Sequence, residues 1–371
     1  MKKFDPVTPA QPALDLPFTE FERRIKKLPA LRRRLKLDAM LLRTEVNLYY
    51  LTGLSSDNAI LVAADGEPTF YTDFRYIVMA KRKAPGLKCE LMWPAKNHAD
   101  VLGKMGKNWR RVGYEGNISA ARFNALREAL PDVELVDVSG ELMAMRSVKS
   151  PAEQRVMRGA IAANDLVYRA LRGYVKPGMT EWELATFVRM SAWQLGQGEA
   201  FDTIVCAGRN GAECHHEPDE TELRAGQPVL VDQGVRLNHY CSDMTRCFCL
   251  GKPSAAYRDI YRVVYEANRA AIRAVKPGMV CGDIDAIARN YIDRAGYGKA
   301  FGHSLGHSLG LEIHESPGFS PGCKTVLKPG MLITVEPGIY LPGRLGVRHE
   351  DVVLVTKTGC EVLSKSPPLE D

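Results

Sequence analysis

Residues 225–234 and 329–338 read AGQPVLVDQG and PGMLITVEPG. Each stretch runs from a glycine-containing turn through an apolar strand to an acid, Asp232 in the first and Glu336 in the second. A carboxylate that ends an apolar strand is costly to desolvate unless it has a partner. A second acid follows a turn in both cases, Asp243 and Glu350. The four carboxylates therefore indicate a shared cation site that holds more than one ion.

The composition is that of a globular protein with a large core. The chain has 371 residues, 45% of them hydrophobic and 25% charged, and this length predicts about two domains. The formal charge of +6 comes without the aromatic interleaving of a nucleic-acid interface, so no nucleic-acid partner is expected. No apolar run approaches membrane-spanning length, and Met1 to Pro6 lack the apolar segment of a signal peptide. Nine cysteines without CxxC pairs favour reduced, cytoplasmic thiols.

The first 148 residues are expected to form an α/β domain, because strand and helix signals alternate along them. A basic helix with a solvated charged face is predicted over 20–36. Strands are predicted over 38–42, 59–63, 70–72 and 133–137, and a helix from 75 to 83.

The remaining residues, 149–371, contain an internal duplication. The pentapeptide VKPGM occurs at 175–179 and again one hundred positions later, at 275–279. Each copy lies between two helical patterns, 152–172 and 180–195 in the first case and 254–274 and 282–295 in the second. Together with the two acid-bearing strands, this predicts the order helix, turn, helix, strand hairpin, twice. Packing about a pseudo-two-fold axis would bring the four acids to one centre.

The hairpin turns determine which residues face each other. A turn at Leu237 and Asn238 would place Asp232 directly opposite Asp243. Glu336 and Glu350 are symmetric about Gly343, so the second hairpin is expected to pair them in the same way.

Three histidines, His303, His307 and His314, fall within twelve residues. The first two have the spacing of a helical zinc pair, but three glycines at the same spacing argue against a helix. A glycine-rich strand or loop that approaches the metal closely is expected instead, with at least one histidine in a structural role. Carboxylates with one imidazole suit Mn, Co or Fe, or Zn in a two-metal site. Two such ions polarise a carbonyl and activate water, so amide hydrolysis is the natural reaction.

The order and context of Asp232, Asp243, His307, Glu336 and Glu350 resemble the five ligands of the pita-bread metallopeptidases, which include methionine aminopeptidase, prolidase and aminopeptidase P. The matching strings are VLVDQG, CSDMTR, LGHSLGLEIHE, ITVEPGIY and GVRHED. NLYYLTG and YTDFRY resemble the N-terminal domain of Xaa-Pro peptidases and creatinases. The resemblance implies a creatinase-like α/β domain at 1–148 and an α+β pita-bread catalytic domain, with its pseudo-two-fold duplication, at 149–371.

The resemblance also implies a role for each ligand and two divalent metal ions, Mn first and Co, Zn or Fe as alternatives. Asp232 would chelate one ion, and Asp243 and Glu350 would bridge both. His307 and Glu336 would bind the other ion, and Glu336 is also the candidate general base.

Further residues match positions near the substrate in this family. His215 matches a substrate-side histidine, with the adjacent His216 as the fallback. His303 matches a histidine near the substrate proline, and His314 matches one that stabilises the tetrahedral intermediate. Arg348 matches an arginine that anchors a carboxylate or orients a ligand.

The chain departs from the family at three positions: Gln233, Ser308 and His349. None of these removes a ligand, but they are expected to bear on substrate fit or metal preference.

The activity implied by the resemblance is that of an Xaa-Pro aminopeptidase on peptides with proline at position two, in a homodimer. An Xaa-Pro dipeptidase is the alternative. A metal-free, creatinase-like amidinohydrolase is opposed by the five intact ligands, and so is a non-catalytic pita-bread binding protein.

Overall fold

The structure, a computed structural model, describes residues 15–92 and 98–368. Met1 to Pro6, whose pattern argues against a signal peptide, lie outside this range. The chain divides into two units, Leu16–Arg146 and a second that begins at Ser147. Within the described residues, no helix is both long and apolar enough to cross a membrane.

The first unit is a six-stranded mixed sheet with helices. Its helices are α1 Phe18–Ile25, α2 Leu28–Arg34, α3 Glu45–Thr52, α4 Phe74–Lys83, α5 His98–Met105, α6 Ala120–Ala129 and α7 Ser139–Ser147. Its strands are β1 Ala39–Leu42, β2 Ala59–Ala63, β3 Thr69–Thr72, β4 Lys88–Leu91, β5 Arg111–Tyr114 and β6 Glu134–Asp137. The strand order is β4-β3-β2-β1-β5-β6, with β1 and β2 fully buried. The four predicted strands and the helix from 75 to 83 are confirmed.

The single basic helix predicted over 20–36 is wrong. Two helices, α1 and α2, replace it, because Pro29 has no amide hydrogen and starts a new helix instead of continuing the old one. The charged face is not wholly solvated either. Arg24 is buried, donates from Nη1 to the Tyr50 carbonyl at 2.7 Å and lies over the Tyr50 ring.

The second unit contains two copies of one arrangement. The first copy has α8 Pro151–Tyr174, α9 Glu181–Leu195, β7 Ile204–Ala207, β8 Pro228–Gln233, β9 Arg236–Leu237, β10 Tyr240–Cys241 and β11 Met244–Cys249. The second copy has α10 Ala255–Ala274, α11 Cys281–Arg294, β12 Gly306–Ser308, β13 Glu315–Phe319, β14 Leu332–Val335, β15 Gly338–Leu341, β16 Leu345–Arg348, β17 Asp351–Val355 and β18 Cys360–Val362. Their main sheets have the orders β11-β8-β7 and β13-β12-β14-β17-β18. The first sheet packs one face against α8 and α9, and its other face shares a core with α10, α11 and the second sheet.

Backbone hydrogen bonds confirm the duplication. Gly178 and Gly278 of the two VKPGM turns have φ of +86° and +88°, a region that glycine adopts without strain. Their amides donate to the carbonyls of Leu223 and Leu327, at 2.8 and 3.0 Å. The two turns are therefore the same structure built twice.

The predicted pairing of the first hairpin is wrong by one turn position. The two-residue turn is formed by Asn238 and His239, whose φ of +46° and +69° suit such a hairpin. Asp232 consequently lies opposite Thr245, not Asp243. Asp243 is two residues from Thr245, so it still faces the same side as Asp232. The predicted register of the second hairpin is confirmed, since Gly338 pairs with Arg348 and Val335 with Asp351, both symmetric about Gly343.

Candidate metal centre

The five residues predicted as ligands lie at strand ends of the second unit and line one cavity of about 890 Å³. Asp232 belongs to β8, Asp243 precedes β11, and His307 lies in β12. Glu336 follows β14, and Glu350 precedes β17. The two halves of the unit thus contribute side chains to the same cavity.

His307 lies among the acids. Its Nε2 is 3.5 Å from Oδ2 of Asp243 and 3.3 Å from Oε1 of Glu336. One ligand atom each from Asp243, His307 and Glu350 lie within 4.8 Å of one another. Nδ1 of His307 donates to the Ser308 carbonyl at 3.1 Å, which leaves the Nε2 lone pair facing the acids. Burial lowers the pKa of His307, so the imidazole is neutral, as a ligand must be.

The glycines of this segment allow the close approach that was predicted. A Cβ atom on Gly306 would lie 2.0 Å from the Thr334 carbonyl oxygen, so no larger residue fits between β12 and β14. The segment is a strand and not a helix, as expected.

The acids fit divalent cations. Oδ1 of Asp232 and Oε1 of Glu350 are buried and have no hydrogen-bond partner within the part of the chain that the structure describes. Such an oxygen costs free energy unless a cation or donor reaches it. Burial and neighbouring carboxylates raise the pKa of Asp243 and of Glu350 well above the ordinary range. Burial also raises the pKa of Glu336, to about 7. Positive charge at this point would relieve all of these costs.

Two threonines hold the acids, and the sequence interpretation missed both. Thr245 donates to Oε2 of Glu350 at 2.8 Å and accepts from Nε of Arg348 at 2.9 Å. Thr334 donates to Oε1 of Glu336 at 2.9 Å and accepts from the His307 amide. Thr334 stands two residues before Glu336 on the same strand, so alternation alone would have placed them on one face. With the two-residue turn placed at Asn238 and His239, the pairing would have put Thr245 opposite Asp232 and so at the site.

Arg348 forms hydrogen bonds within the site. Its Nη2 donates to Oδ2 of Asp232 at 2.7 Å, and its Nη1 donates to the Tyr340 hydroxyl at 2.9 Å. Of the two roles considered for Arg348, this geometry matches the orientation of a ligand, because the guanidinium already grips a carboxylate of the site.

The histidines that line the cavity differ in environment. His303 donates from Nδ1 to the Ser304 carbonyl at 2.8 Å, and its Nε2 lies 2.9 Å from the Tyr340 hydroxyl. Burial lowers the pKa of His303 to about 4. His314 packs edge-to-face on His307 with ring centres 4.4 Å apart, and burial lowers its pKa as well. Both imidazoles are therefore neutral near pH 7.

His215 and His216 have separate roles in the structure. Both line the cavity, but His215 is exposed, whereas His216 is buried with Nε2 2.7 Å from Glu181 and Nδ1 3.0 Å from Glu213. His216 is therefore already engaged by two acids.

The three departures from the family pattern lie on the far side of the ligand-bearing strands. Gln233 and Asn164 exchange hydrogen bonds, which tie β8 to α8. His349 lies 3.0 Å from the Tyr261 hydroxyl, and Ser308 is fully buried. None of the three lines the cavity, because each is the chain neighbour of a ligand and points to the opposite face.

Comparison with known proteins agrees with this geometry. Models of metallopeptidase family M24 and of the creatinase/prolidase N-terminal domain match residues 155–357 and 24–148. An Xaa-Pro dipeptidase from Pyrococcus furiosus is 35% identical over 92% of this chain and 98% of that protein.

Two solved structures extend the comparison. An Xaa-Pro dipeptidase from Bacillus anthracis is 33% identical with a TM-score of 0.89, over 94% of this chain and 100% of that one. An X-Pro aminopeptidase from Thermotoga maritima is 30% identical with a TM-score of 0.84, over 92% of this chain and 100% of that one. The predicted creatinase-like domain and pita-bread domain are thereby confirmed. Because the family match covers more than half of the sequence, the chain belongs to metallopeptidase family M24.

Proposed function

We propose that this chain is a metal-dependent Xaa-Pro peptidase, which cleaves the bond between the first residue of a peptide and a proline at position two. The observation that carries this proposal is one cavity in which four acids and His307 converge, with two buried carboxylate oxygens that lack a donor within the described residues. Relatives named Xaa-Pro dipeptidase and X-Pro aminopeptidase support the choice of bond.

Asp232, Asp243, His307, Glu336 and Glu350 are proposed to hold two divalent ions, with Asp243 and Glu350 shared between the ions. The bound ions would polarise the scissile carbonyl and lower the pKa of water. Oxygen-rich donors favour Mn, with Co, Zn and Fe as alternatives. Neither a metal-free amidinohydrolase nor a non-catalytic protein needs these donors side by side.

The side chains supply proton transfer and charge stabilisation. Glu336, whose carboxylate is held by Thr334 beside His307, is proposed as the general base. His314 is neutral and offers an N–H to the oxygen that gains charge in the transition state. His303 and His215 are proposed to contact the substrate, and Arg348 to hold Asp232 in place.

A proline at position two explains why such a site is useful. Proline has no amide N–H, so a peptidase that binds its substrate through that donor cannot hold the bond. A site that engages the carbonyl and the free N-terminus avoids this requirement.

Arg348 favours an aminopeptidase over a strict dipeptidase. A dipeptidase needs a cation for the proline carboxylate, but Arg348 is occupied by Asp232 and Tyr340. The other arginine that lines the cavity, Arg189, is 3.3 Å from Glu199. The relatives named Xaa-Pro dipeptidase favour the second candidate, cleavage of Xaa-Pro dipeptides.

The test is to incubate the Mn-loaded protein with matched Xaa-Pro dipeptides and Xaa-Pro-Yaa tripeptides and to measure the released first residue. We expect release from tripeptides with a higher kcat/KM than from dipeptides. The opposite preference would establish the dipeptidase alternative. Release from neither would refute the proposed activity.

Three further assignments belong to the proposal. A homodimer is supported by the exposed apolar side chains Phe74 and Val78 of α4, which are 77% and 72% accessible. A reducing, cytoplasmic location is supported by nine unpaired cysteines. The boundary between the N-terminal and catalytic domains is proposed at residues 148 and 149.

A further inference from the structure

His215 lies between two anchored neighbours on the loop that follows β7. On one side, the Cys214 carbonyl accepts from Nη1 of Arg348 at 3.4 Å. On the other side, His216 is buried and bonded to Glu181 and Glu213. His215 itself is exposed to the cavity, so its position depends on the two residues beside it.

Glu181 lies at the start of α9 and accepts hydrogen bonds from residues along the whole of this loop. Its side chain is fully buried, and each of its oxygens accepts two hydrogen bonds. Oε1 accepts from the Ala207 amide at 2.5 Å and from Asn210 Nδ2 at 3.0 Å. Oε2 accepts from His216 Nε2 at 2.7 Å and from the Asp219 amide at 3.2 Å. One carboxylate thus fixes the loop at its beginning, middle and end.

His216 completes the anchor through both of its ring nitrogens. Nδ1 lies 3.0 Å from Oε2 of Glu213, and Nε2 lies 2.7 Å from Oε2 of Glu181 and 3.2 Å from Nδ2 of Asn210. Burial disfavours a charged imidazole, but Glu213 and Glu181 outweigh burial and raise the pKa of His216.

The same cluster is a poor cation site, although ligand atoms of Glu181, His216 and Asp219 lie within 4.8 Å of one another. Four N–H groups already point at the two oxygens of Glu181, and a metal would have to displace them. A buried carboxylate whose two oxygens are both satisfied by donors needs no cation.

The other half of the unit provides an internal control. Cys281 occupies the position of Glu181 at the start of α11, and both residues donate their amides to a threonine carbonyl, that of Thr325 and that of Thr221. The shared turn therefore forms without an acid at this position. Glu181 is specific to the half that carries His215.

We propose that Glu181 and His216 are positioning residues that fix His215 in the cavity and act on the substrate only through it. This inference rests on the proposed Xaa-Pro peptidase activity, in which His215 contacts the substrate. It assigns no direct contact between His216 and the peptide.

A double-mutant cycle tests the proposal. We expect H216A to lower kcat/KM of the Mn-loaded enzyme on an Xaa-Pro tripeptide by about 10- to 100-fold, the range for residues that orient a functional group. In the H215A background, H216A should cause no further loss. Independent, multiplying losses in the double variant would overturn the proposal.

Two more variants separate positioning from damage to the fold. H216Q keeps a donor towards Glu181 and should recover most of the activity that H216A loses. E220Q changes an exposed acid of the same loop and should match the wild type in activity and Tm. If H216Q is as impaired as H216A although its Tm and metal content match the wild type, the proposal is wrong.

A readout independent of turnover uses the NMR signal of the His215 ring, assigned by its loss in H215A. E181Q should shift or broaden this signal, and an unchanged signal would overturn the proposal. If the wild-type protein cleaves no Xaa-Pro peptide, the proposed activity fails and the NMR result alone decides the positioning role. If the wild type is active but the cycle is additive, only the positioning role fails.

Discussion

The two halves of the second unit repeat the same helices and turns, but they present different side chains to the cavity. The first hairpin has a two-residue turn at Asn238 and His239, whereas Leu341 pairs with Leu345 across three residues in the second. As a result Thr245 lies opposite the acid of the first half, and Glu350 occupies the equivalent position in the second. By the same pairing, Asp243 corresponds to Arg348. The duplication therefore repeats the backbone and not the ligand set.

The side chains that differ between the halves form hydrogen bonds from one half to the other. Arg348 of the second half donates to Asp232 of the first, and Thr245 of the first half donates to Glu350 of the second. Each half thus orients an acid of the other. A site assembled in this way fails when either half is altered, and the predictions below test which differences matter most.

The largest effect is expected from D243N, which removes the acid at the position where the second half has an arginine. Because Asp243 is proposed to be shared between two ions, its loss should abolish metal binding and lower kcat by more than about 10³-fold, beyond the loss for one transition-state hydrogen bond. Metal content and kcat measure this.

The metal-free D243N protein should be more stable than the metal-free wild type. Burial and repulsion raise the pKa of Asp243, and a neutral amide removes that repulsion. A lower Tm for D243N in chelator would contradict the view that acids from both halves repel one another. The surface variant D259N serves as the control.

E336Q tests whether the two strand acids are inequivalent. E336Q should lower kcat by about 10²- to 10⁴-fold even at saturating metal, because it removes the proposed general base. D232N should lose activity in step with its metal affinity. Calorimetric titration with Mn beside kcat separates these outcomes, and parallel losses in E336Q would refute the base assignment.

Metal removal should make stability depend on pH. The folded-state pKa of Glu336 is raised from 4.5 to about 7, so the folded chain retains a proton that the unfolded chain releases between these values. Stability of the chelated protein should therefore fall as pH rises from 4.5 to 7, by up to about 3 kcal/mol for this group. The metal-loaded protein should show a smaller decline. Tm measured with and without chelator at pH 5 and 7.5 tests this, and parallel curves would contradict it.

The convergence of the four acids on one cavity followed from the sequence, because charge at the end of an apolar strand is costly to bury and therefore informative. Asp232 and Glu336 stand out in the sequence for this reason, and the two VKPGM copies show where the repeat begins again. The register of the first hairpin did not follow, because Leu237-Asn238 and Asn238-His239 are both acceptable two-residue turns and differ by one position.

Groups that act through side-chain contacts were harder to predict. Thr245 and Glu181 carry no unusual spacing, and their roles depend on which residues the fold places opposite them. The break between α1 and α2 could have been predicted, since proline at position 29 stops one helix and starts another. It was missed because the helical spacing of basic and apolar residues continues on both sides of Pro29.

T245V and T334V form a matched pair, one in each half, because each threonine donates to a single acid. Each should lower metal affinity by about 10- to 100-fold. Both variants also remove an acceptor, that of Arg348 Nε in T245V and that of the His307 amide in T334V. T245V should have the larger effect, since it loosens Arg348 and through it Asp232 in the other half, whereas T334V acts within its own half. Mn titration of both variants measures this, and a larger effect for T334V would weaken the idea that the halves orient each other.

The smallest effect is expected at Ser308, beside His307 in the second half. Its hydroxyl is buried and lacks a hydrogen-bond partner within the described residues. S308A removes this unsatisfied group and keeps the backbone carbonyl that orients His307, so the free energy of unfolding should rise by about 1 kcal/mol. Metal affinity should be unchanged, because the side chain points away from the cavity. Urea unfolding and Mn titration test both parts, and reduced Mn affinity in S308A would mean that this departure reaches the metal centre after all.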